Sequence, residues 1–381
     1  MDDVVVVGAS LAGAATAIHL RRLGHTVTLL DRAAFPRRKA CGEGLFPSGL
    51  SALRDLGNFD DVIATGSPLH AVRFNAGPHA AIASLAGGPG LGIRRELLDA
   101  VLLDAARAAG VNVHTRTTVT GLRRRAGRVE AVQTSDGPIP ARAFVAADGL
   151  QSSLRRIAGL DAGAGSRYGV TAHVTLAAQP QPLVDIYFER GFELYLTPVG
   201  GHDVNVALLL RKSAMRPFAG RVRETFSEML QAHRAFDAGF NAADTPMVAG
   251  PFRRRCSRAW RANLLLAGDA AGFYDGISGE GMSAALSSAP WAARAVSRYL
   301  ATGKYDAFRA YDARRRALVR NSDILAAASL ALSRYHPVAT LDIRNLSRRP
   351  QTFTRLVAVS SGAAPLRSLK ARDIAALATG W

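Results

Sequence analysis

The sequence contains very little cysteine and has no long apolar run. Cys41 and Cys256 are its two cysteines in 381 residues, which argues against a disulfide framework and fits a reducing compartment. No stretch reaches the roughly 18 consecutive apolar residues of a membrane span. The first residues, MDDVVVV, lack the basic region of a secretory signal. We therefore expect a cytoplasmic protein, with peripheral membrane contact as an open alternative.

Lysine is also scarce, so arginine carries the net charge of +18. The arginines occur in scattered pairs and triplets, such as Arg123–Arg125 and Arg253–Arg255. They could form a basic surface for anionic lipid or nucleic acid, or they could reflect codon usage in a GC-rich genome. No aromatic residues are interleaved with them, so we predict no nucleic-acid partner. The histidines show no metal-ligand spacing, and no metal site is expected.

The amino-terminal region has the pattern of one β-α-β unit. Val4–Val7 is a buried-type strand, Ala14–Leu23 has helical spacing, and His25–Leu30 is a second strand that ends at Asp31. The turn between the first strand and the helix reads Gly8-Ala-Ser-Leu-Ala-Gly13, a dinucleotide fingerprint with Ser10 in place of the middle glycine. The free N–H groups at a helix start favour phosphate, and a carboxylate at the second strand end suits a ribose. The unit therefore predicts a nucleotide site.

Two further turns follow buried strands. Asp148–Gly149 comes after the strand Ala143–Ala147, and Gly268–Asp269 comes after Leu264–Ala267. Each turn alone is a weak signal, because Asp-Gly turns are common. Three such turns in this order, each at a strand end, indicate one shared site.

The remaining pattern indicates interleaved regions. Short strands fill the stretch from Tyr168 to Leu210, and the chain is helical from Tyr305 onward. We predict a discontinuous nucleotide-binding domain over 1–67, 94–165 and 253–300, and a β-sheet substrate domain over 68–93 and 166–252, followed by a helical segment over 301–381. The apolar piece Ile324–Leu332 either faces a membrane or forms core that covers the substrate site.

On these residues the chain resembles the FAD-dependent enzymes of the para-hydroxybenzoate hydroxylase fold, which include the group A flavin monooxygenases and the geranylgeranyl reductases. The resemblance runs from residue 1 to about residue 300. It implies an α/β fold in which an FAD-binding domain of the glutathione-reductase type is interleaved with a β-sheet substrate domain. It also implies FAD as cofactor and NAD(P)H as transient reductant.

The resemblance further implies which residues contact FAD. The contacts to the ADP half come from the first turn and from the end of the second strand. The other contacts are the arginine of Arg95-Glu-Leu-Leu-Asp99, the hairpin start Val119 and residues of the later turns. The Gly279–Met282 turn would face the flavin ring. The full predicted set is Gly8, Ser10, Leu11, Ala12, Gly13, Asp31, Arg32, Arg95, Val119, Asp148, Gly149, Gly268, Asp269, Gly279, Gly281 and Met282.

The stretch Lys39-Ala-Cys41-Gly-Glu43-Gly-Leu resembles a Cys-Gly-Gly loop near the flavin in the reductases, with Glu43 in place of the second glycine. Cys41 and Glu43 are therefore candidates for the flavin side of the catalytic site. A lone cysteine is more often a small buried apolar residue, so we expect Cys41 to lie near the ring without acting as a nucleophile.

Three functions stay open. The first is a monooxygenase that uses NAD(P)H and O2 to hydroxylate or epoxidise an apolar or aromatic metabolite, such as a polyketide, phenol or isoprenoid, through a flavin C4a-hydroperoxide. The second is a reductase that saturates C=C bonds in an isoprenoid. The third is a cyclase that uses FAD without net redox change. We place the monooxygenase first.

Overall fold

A computed structural model describes residues 1–57, 59–242, 244–332, 334–370 and 373. The strands, in chain order, are β1 Asp2–Val7, β2 Val27–Leu30, β3 Gly44–Leu45, β4 Ser67–Leu69, β5 Ala71–Ala76, β6 His79–Ser84, β7 Gly90–Gly92, β8 Asn112–His114, β9 Val119–Arg125, β10 Arg128–Thr134, β11 Gly137–Ala146, β12 Arg167–Leu176, β13 Leu183–Glu189, β14 Phe192–Gly200, β15 Asp203–Arg211, β16 Phe240–Ala242, β17 Met247–Ala249, β18 Trp260–Arg261 and β19 Leu264–Leu266. The helices are α1 Leu11–Arg22, α2 Pro47–Arg54, α3 Asp60–Ile63, α4 Arg95–Ala108, α5 Ser153–Ile157, α6 Val222–Gln231, α7 Gly281–Thr302, α8 Asp306–Leu332, α9 His336–Ser347 and α10 Pro350–Ser360.

The first sheet contains the nucleotide-type pieces. Its strand order is β18-β19-β11-β1-β2-β8, and β1 pairs in parallel with both β11 and β2. The strands β1 and β2 are apolar and buried over nearly their whole length, as expected for a parallel sheet that is covered on both faces. Parallel pairing brings the carboxyl ends of β1, β11 and β19 to one edge, where the three predicted turns begin.

Helix α1 and strand β11, which belong to the first sheet and its helical layer, are longer than the sequence pattern predicted. Helix α1 begins at Leu11 rather than Ala14, because Gly13 already lies within its first turn. Strand β11 begins at Gly137, since its first half pairs with β10 in an antiparallel extension before its second half joins the parallel sheet. The hairpin β9–β10 was predicted.

The second sheet has the order β16-β12-β15-β14-β13-β5-β6, with β17 also paired to β12. Most of its pairs are antiparallel, although β5 and β13 run parallel. The short strands predicted between Tyr168 and Leu210 belong to this sheet. A small third sheet, β3-β7-β4, lies beside it, and β7 and β4 both contact β14.

Helices cover both large sheets. Helix α1 packs against α7 and α4 over the first sheet, whereas α9 and α10 pack against β6 of the second sheet. Helix α8 connects the two groups, because it packs against α7 and also contacts α9 and α10. This mixed α/β architecture confirms the predicted fold class. The division of the chain into domain ranges stays a prediction.

No helix in the described part of the chain is both long and apolar enough to cross a membrane. Residues 325, 326, 328 and 329, within the apolar piece Ile324–Leu332, line an internal cavity, while Ile324 is 47% exposed. The inner side of this piece therefore covers the cavity, in agreement with the alternative that it forms core over the substrate site.

Candidate functional site: a cleft joined to an apolar chamber

One cavity of about 1170 Å³ runs from the carboxyl edge of the first sheet to the inner face of the second sheet. All of the predicted FAD contacts except Gly13 line it, and so do Cys41 and Glu43. The cavity is larger than the roughly 300–1,000 Å³ of ordinary small-molecule sites, so it has room for two ligands.

The turn after β1 needs glycine at both ends. Gly8 has φ +101°, and a Cβ there would lie 2.3 Å from the Ala147 carbonyl oxygen. A Cβ on Gly13 would lie 1.7 Å from the Gly8 carbonyl oxygen. Gly13 therefore keeps α1 close to the strand, which is the packing role that the fingerprint predicts, and this explains why it does not line the cavity.

Ser10 stands just before α1 but does not cap it. The structure gives α1 no side-chain cap among the described residues. Instead, the Ser10 Oγ accepts from Arg95 Nη2 at 2.6 Å and lies 3.1 Å from Asp99 Oδ2. Because the N–H groups of the first helical turn have no side-chain acceptor, they are available to an anion in the cavity.

Arg95 and Asp99 form a buried ion pair on α4 beside this turn. Their closest N–O distance is 2.9 Å, and Asp99 has no solvent exposure. Arg37 lies 3.5 Å from Asp99 and 3.6 Å from Asp31, so it spans the two carboxylates. No sequence signal marks Arg37, because it lies in a loop without periodicity.

Asp31 is buried at the end of β2 and is held by main-chain groups. Its Oδ2 accepts from the Ala9 N–H at 2.8 Å, and its Oδ1 accepts from the Ala33 N–H at 2.9 Å. Each carboxylate oxygen has a second lone pair that a ribose hydroxyl could use. Arg32 and Val119 line the same part of the cavity.

The turns after β11 and β19 bring two more carboxylates to the cavity. Asp148 Oδ2 accepts from the Leu154 N–H at 3.2 Å, whereas its buried Oδ1 has no hydrogen-bond partner among the described residues. Gly268 has φ +57°, and a Cβ there would lie 2.7 Å from the Ala12 side chain. The close approach of this turn to α1 therefore requires glycine, and it brings Asp269 to the same cleft.

Lys39 also lines this cleft, and the sequence analysis did not assign it a role. Burial, followed by the charge of Arg95, lowers the pKa of its ammonium, although the carboxylates of Asp269 and Asp99 oppose that shift. Its Nζ lies 3.8 Å from where a Cβ on Gly149 would be. Because lysine is scarce in this chain, the presence of a lysine in the Cys41 loop could have marked Lys39 as a candidate site residue.

The turn before α7 contacts the Cys41 loop. Cys41 Sγ is 3.4 Å from Met282 Sδ and also accepts from the Glu43 N–H at 3.4 Å. Gly279 has φ +67°, and α7, like α1, has no side-chain cap among the described residues. A second helix N-terminus is thus open to a ligand with negative charge.

Glu280 lies within this turn. Burial raises the pKa of its carboxyl to about 8, although a hydrogen bond from Ser322 acts in the opposite direction. Its Oε1 is buried and has no hydrogen-bond partner in the described ranges. At neutral pH the group therefore holds a proton beside the cavity. The sequence marked Glu280 only as one residue of the Gly279–Met282 turn.

Glu43 has a different environment from the one expected of a catalytic group. It is 2% exposed at φ +58°, and its Oε1 accepts from the Arg95 N–H at 2.7 Å. Its Oε2 is 2.6 Å from His173 Nε2, and His173 Nδ1 is 2.7 Å from Asp244 Oδ2. Both oxygens of Glu43 are therefore engaged, and we assign it to positioning the Cys41 loop rather than to chemistry.

The far end of the cavity is an apolar chamber, which we define by the second sheet below and the carboxy-terminal helices above. Its floor and roof are aromatic and aliphatic side chains, namely Val72, Phe74, Ile186, Phe188, Leu209, Phe252, Ala326, Ala339, Ile343, Leu346, Phe353 and Val357. No periodic motif marks these positions, because they come from strands and helices that are far apart in the sequence.

The geometry fits a flavin dinucleotide. Two uncapped helix N-termini face the cavity, which also holds an orphaned carboxylate oxygen on Asp148 and glycines wherever the backbone must approach closely. Together, the parallel sheet, the antiparallel sheet and this cleft define the class of two-sheet flavoproteins.

Residues 1–322 match the FAD binding domain family, and the chain belongs to that family. It is an FAD-dependent oxidoreductase. The chain is 30% identical over 325 residues to menaquinone reductase of Mycolicibacterium smegmatis, covering 77% of this chain and 76% of the relative. It is also 30% identical over 323 residues to digeranylgeranylglycerophospholipid reductase 2 of Methanothermobacter thermautotrophicus, covering 80% of each.

The flavin-dependent brominase Bmp2 has the same fold, with a TM-score of 0.84 at 18% identity over 98% of this chain and 96% of that chain. The predicted resemblance to the para-hydroxybenzoate hydroxylase fold is thus confirmed. The two reductases favour the alternative that the sequence analysis placed second over the monooxygenase that it placed first.

Proposed function

We propose that this protein is an FAD-dependent reductase that uses NAD(P)H to saturate a C=C bond in an isoprenoid chain. The similarity over more than three quarters of the chain to two reductases, one of them named for a geranylgeranyl lipid, carries the proposal. The apolar chamber supports it, since a long hydrocarbon chain needs a wall of aliphatic and aromatic side chains.

In this proposal the first sheet binds the cofactor. The open N–H groups of α1 would hold the pyrophosphate, Asp31 would hold the ribose of the ADP half, and Asp269 would hold the ribityl side. The N-terminus of α7 would face the flavin, where its dipole would stabilise negative charge on the reduced ring. Lys39 adds an amine to the same cleft.

When bound, reduced FAD supplies a hydride to one carbon of the double bond, and the saturated product needs one proton on the other carbon. The chamber orients the chain and excludes water from it. We assign the proton to Glu280, since its carboxyl is protonated at neutral pH, the residue lines the cavity, and it lies within the turn that is proposed to face the flavin. Ser322 holds the carboxyl in place from α8.

The test begins with the purified protein reconstituted with FAD and reduced by NADPH or NADH without oxygen. The proposal predicts that a prenyl lipid gains two mass units under these conditions. An oxygenated product formed only in air would instead indicate the monooxygenase, and a rearranged product formed without reductant would indicate the cyclase. A protein that cannot bind FAD would overturn all three.

The matched control is Asp269→Ala, which we expect to weaken FAD binding and to abolish the mass gain in proportion to the lost flavin. Circular dichroism checks that the variant stays folded. If Asp269→Ala retained full flavin content, the assignment of Asp269 would be wrong, whereas the reaction class would stand.

A further inference from the structure

Asp342 is a buried carboxylate on α9 that lines the apolar chamber. It is 7% exposed, and its Oδ2 is buried without a hydrogen-bond partner in the part of the chain that the structure describes. Within the described residues, no arginine, lysine or histidine forms an ion pair with it. Burial alone raises the pKa of its carboxyl to about 6, so the group is still mainly ionised at neutral pH.

The surroundings of Asp342 do not explain why an acid stands there. On α9, Ala339, Ile343 and Leu346 are buried in the same apolar cluster, and Phe353 and Val357 of α10 belong to it as well. An unpaired buried carboxylate destabilises a fold, and an apolar residue of similar size would fill the position better. Residues that lower stability in this way are typical of binding sites.

Another acid of the cavity wall shows the contrast. Asp275 is 3% exposed, but its Oδ2 accepts from Arg167 Nε at 3.0 Å and its Oδ1 accepts from the Ile277 N–H at 3.1 Å. The protein thus satisfies the carboxylate of Asp275 internally, whereas Asp342 lines the chamber and its Oδ2 has no partner among the described residues. Asn345, one helical turn further along α9, is 4% exposed and also has a buried Nδ2 without a partner in the described residues.

We propose that Asp342 recognises the substrate, and that the substrate carries a hydrogen-bond donor, a hydroxyl or an ammonium group, on an otherwise apolar body. An ionised carboxylate only accepts hydrogen bonds, so it selects a donor and disfavours an ether or ester at the same position. The isoprenoid nature of that body rests on the proposed function, whereas the need for a donor rests on Asp342 alone.

The binding test compares matched ligand pairs, and titration calorimetry measures the affinity of each ligand for the FAD-bound protein. The first pair is geranylgeraniol and its methyl ether, with geranylgeranylamine as the ammonium arm. We expect the alcohol or the amine to bind about tenfold or more tightly than the ether, because a hydrogen bond to a charged group is among the stronger ones. Asp342→Leu should remove this preference, and Asp342→Asn should reduce it.

A second pair, 2-naphthol and its methyl ether, repeats the comparison without an isoprenoid. If only the naphthyl pair is discriminated, the isoprenoid assignment fails and the role of Asp342 stands. If the wild-type protein discriminates neither pair, or if Asp342→Leu discriminates as the wild type does, the role of Asp342 is overturned. Ser360→Ala is the control, since Ser360 lines the same cavity and should leave the preference unchanged.

Thermal unfolding gives a readout that does not depend on any ligand. The Tm of Asp342→Leu should exceed that of the wild type, because the variant removes an unpaired buried charge. A marked fall in Tm would show that Asp342 has a structural partner, and it would contradict the proposal.

Discussion

His173 Nε2 lies 2.6 Å from Glu43 Oε2, and this contact joins the Cys41 loop to the second sheet. His173 is on β12 and is 5% exposed, and its other ring nitrogen is 2.7 Å from Asp244, which Arg38 also contacts at 2.7 Å. The same Glu43 accepts from the Arg95 N–H at the start of α4. One chain of polar contacts, buried at Glu43 and His173, therefore joins the Cys41 loop to the sheet that forms the chamber.

Replacing His173 should destabilise the protein. His173→Leu leaves the buried carboxylate of Glu43 without its partner, and we expect a loss of about 3 kcal/mol in the free energy of unfolding. Denaturant titration measures it. The exposed His70 provides the control, since His70→Leu should change stability by less than about 0.5 kcal/mol. Combining His173→Leu with Glu43→Gln should recover part of the loss, and strictly additive effects would contradict the pairing.

The same contact predicts a pH dependence of stability. Burial lowers the pKa of His173, but the hydrogen bonds and charges of Glu43 and Asp244 outweigh it and raise the pKa above 6.5. A raised folded-state pKa means that this contribution is complete below pH 6.5 and is lost as the pH rises through the folded value. The difference in unfolding free energy between wild type and His173→Leu should therefore shrink from pH 6 to pH 9. A difference that grew with pH would contradict this sign.

Ser10 is predicted to tolerate glycine and to reject a large residue. Ser10→Gly removes the hydrogen bonds that Ser10 Oγ makes with Arg95 and Asp99, while the Arg95–Asp99 ion pair and the Arg37 contact remain. We therefore expect a loss of about 1–2 kcal/mol in stability and unchanged FAD content. Ser10→Leu fills the turn where the pyrophosphate is proposed to bind, and it should weaken FAD binding by about tenfold or more. Flavin absorbance after dialysis measures both, and full flavin content in Ser10→Leu would refute the placement.

Cys41 should matter little for the chemistry. Its sulfur contacts Met282 and the Glu43 N–H, and serine occupies nearly the same space. Cys41→Ser should change kcat/KM by less than about tenfold, or 1.4 kcal/mol. Cys256→Ser is the matched control, because Cys256 lies outside the cavity lining and burial raises the pKa of its thiol. Complete loss of turnover in Cys41→Ser with FAD still bound would show that the thiol takes part in the reaction.

The strand-end turns could be predicted from the sequence, because a parallel sheet necessarily places the residues after β1, β11 and β19 at one edge. The contact between Glu43 and His173 could not be predicted, because the two residues are 130 positions apart and belong to separate parts of the fold, the Cys41 loop and the second sheet. Asp342 was equally hidden, because only the packing of α9 on the second sheet turns that residue inward. Local patterns thus predicted the turns that line the proposed cofactor cleft, whereas the chamber depended on tertiary packing that has no local signature.

Glu280 should control the pH dependence of turnover. Its carboxyl has a pKa of about 8, so the protonated form that can donate is lost above that pH, and the rate should fall there. Glu280→Gln cannot donate a proton, so we expect kcat to drop by about 10²- to 10⁴-fold and the fall above pH 8 to disappear. Flavin reduction by NAD(P)H should be little changed, which separates the proton step from cofactor binding.

Asp323 provides the sharper version of that test. Its negative charge helps to raise the pKa of Glu280, so Asp323→Asn should lower that pKa and move the fall in rate to lower pH. Because the folded pKa of Glu280 is raised, its contribution to stability is present below about pH 4.5 and is lost as the pH rises through 8. Glu280→Gln should accordingly flatten the decline of Tm across that range. A pH profile that Asp323→Asn did not move would remove Glu280 from the proton step.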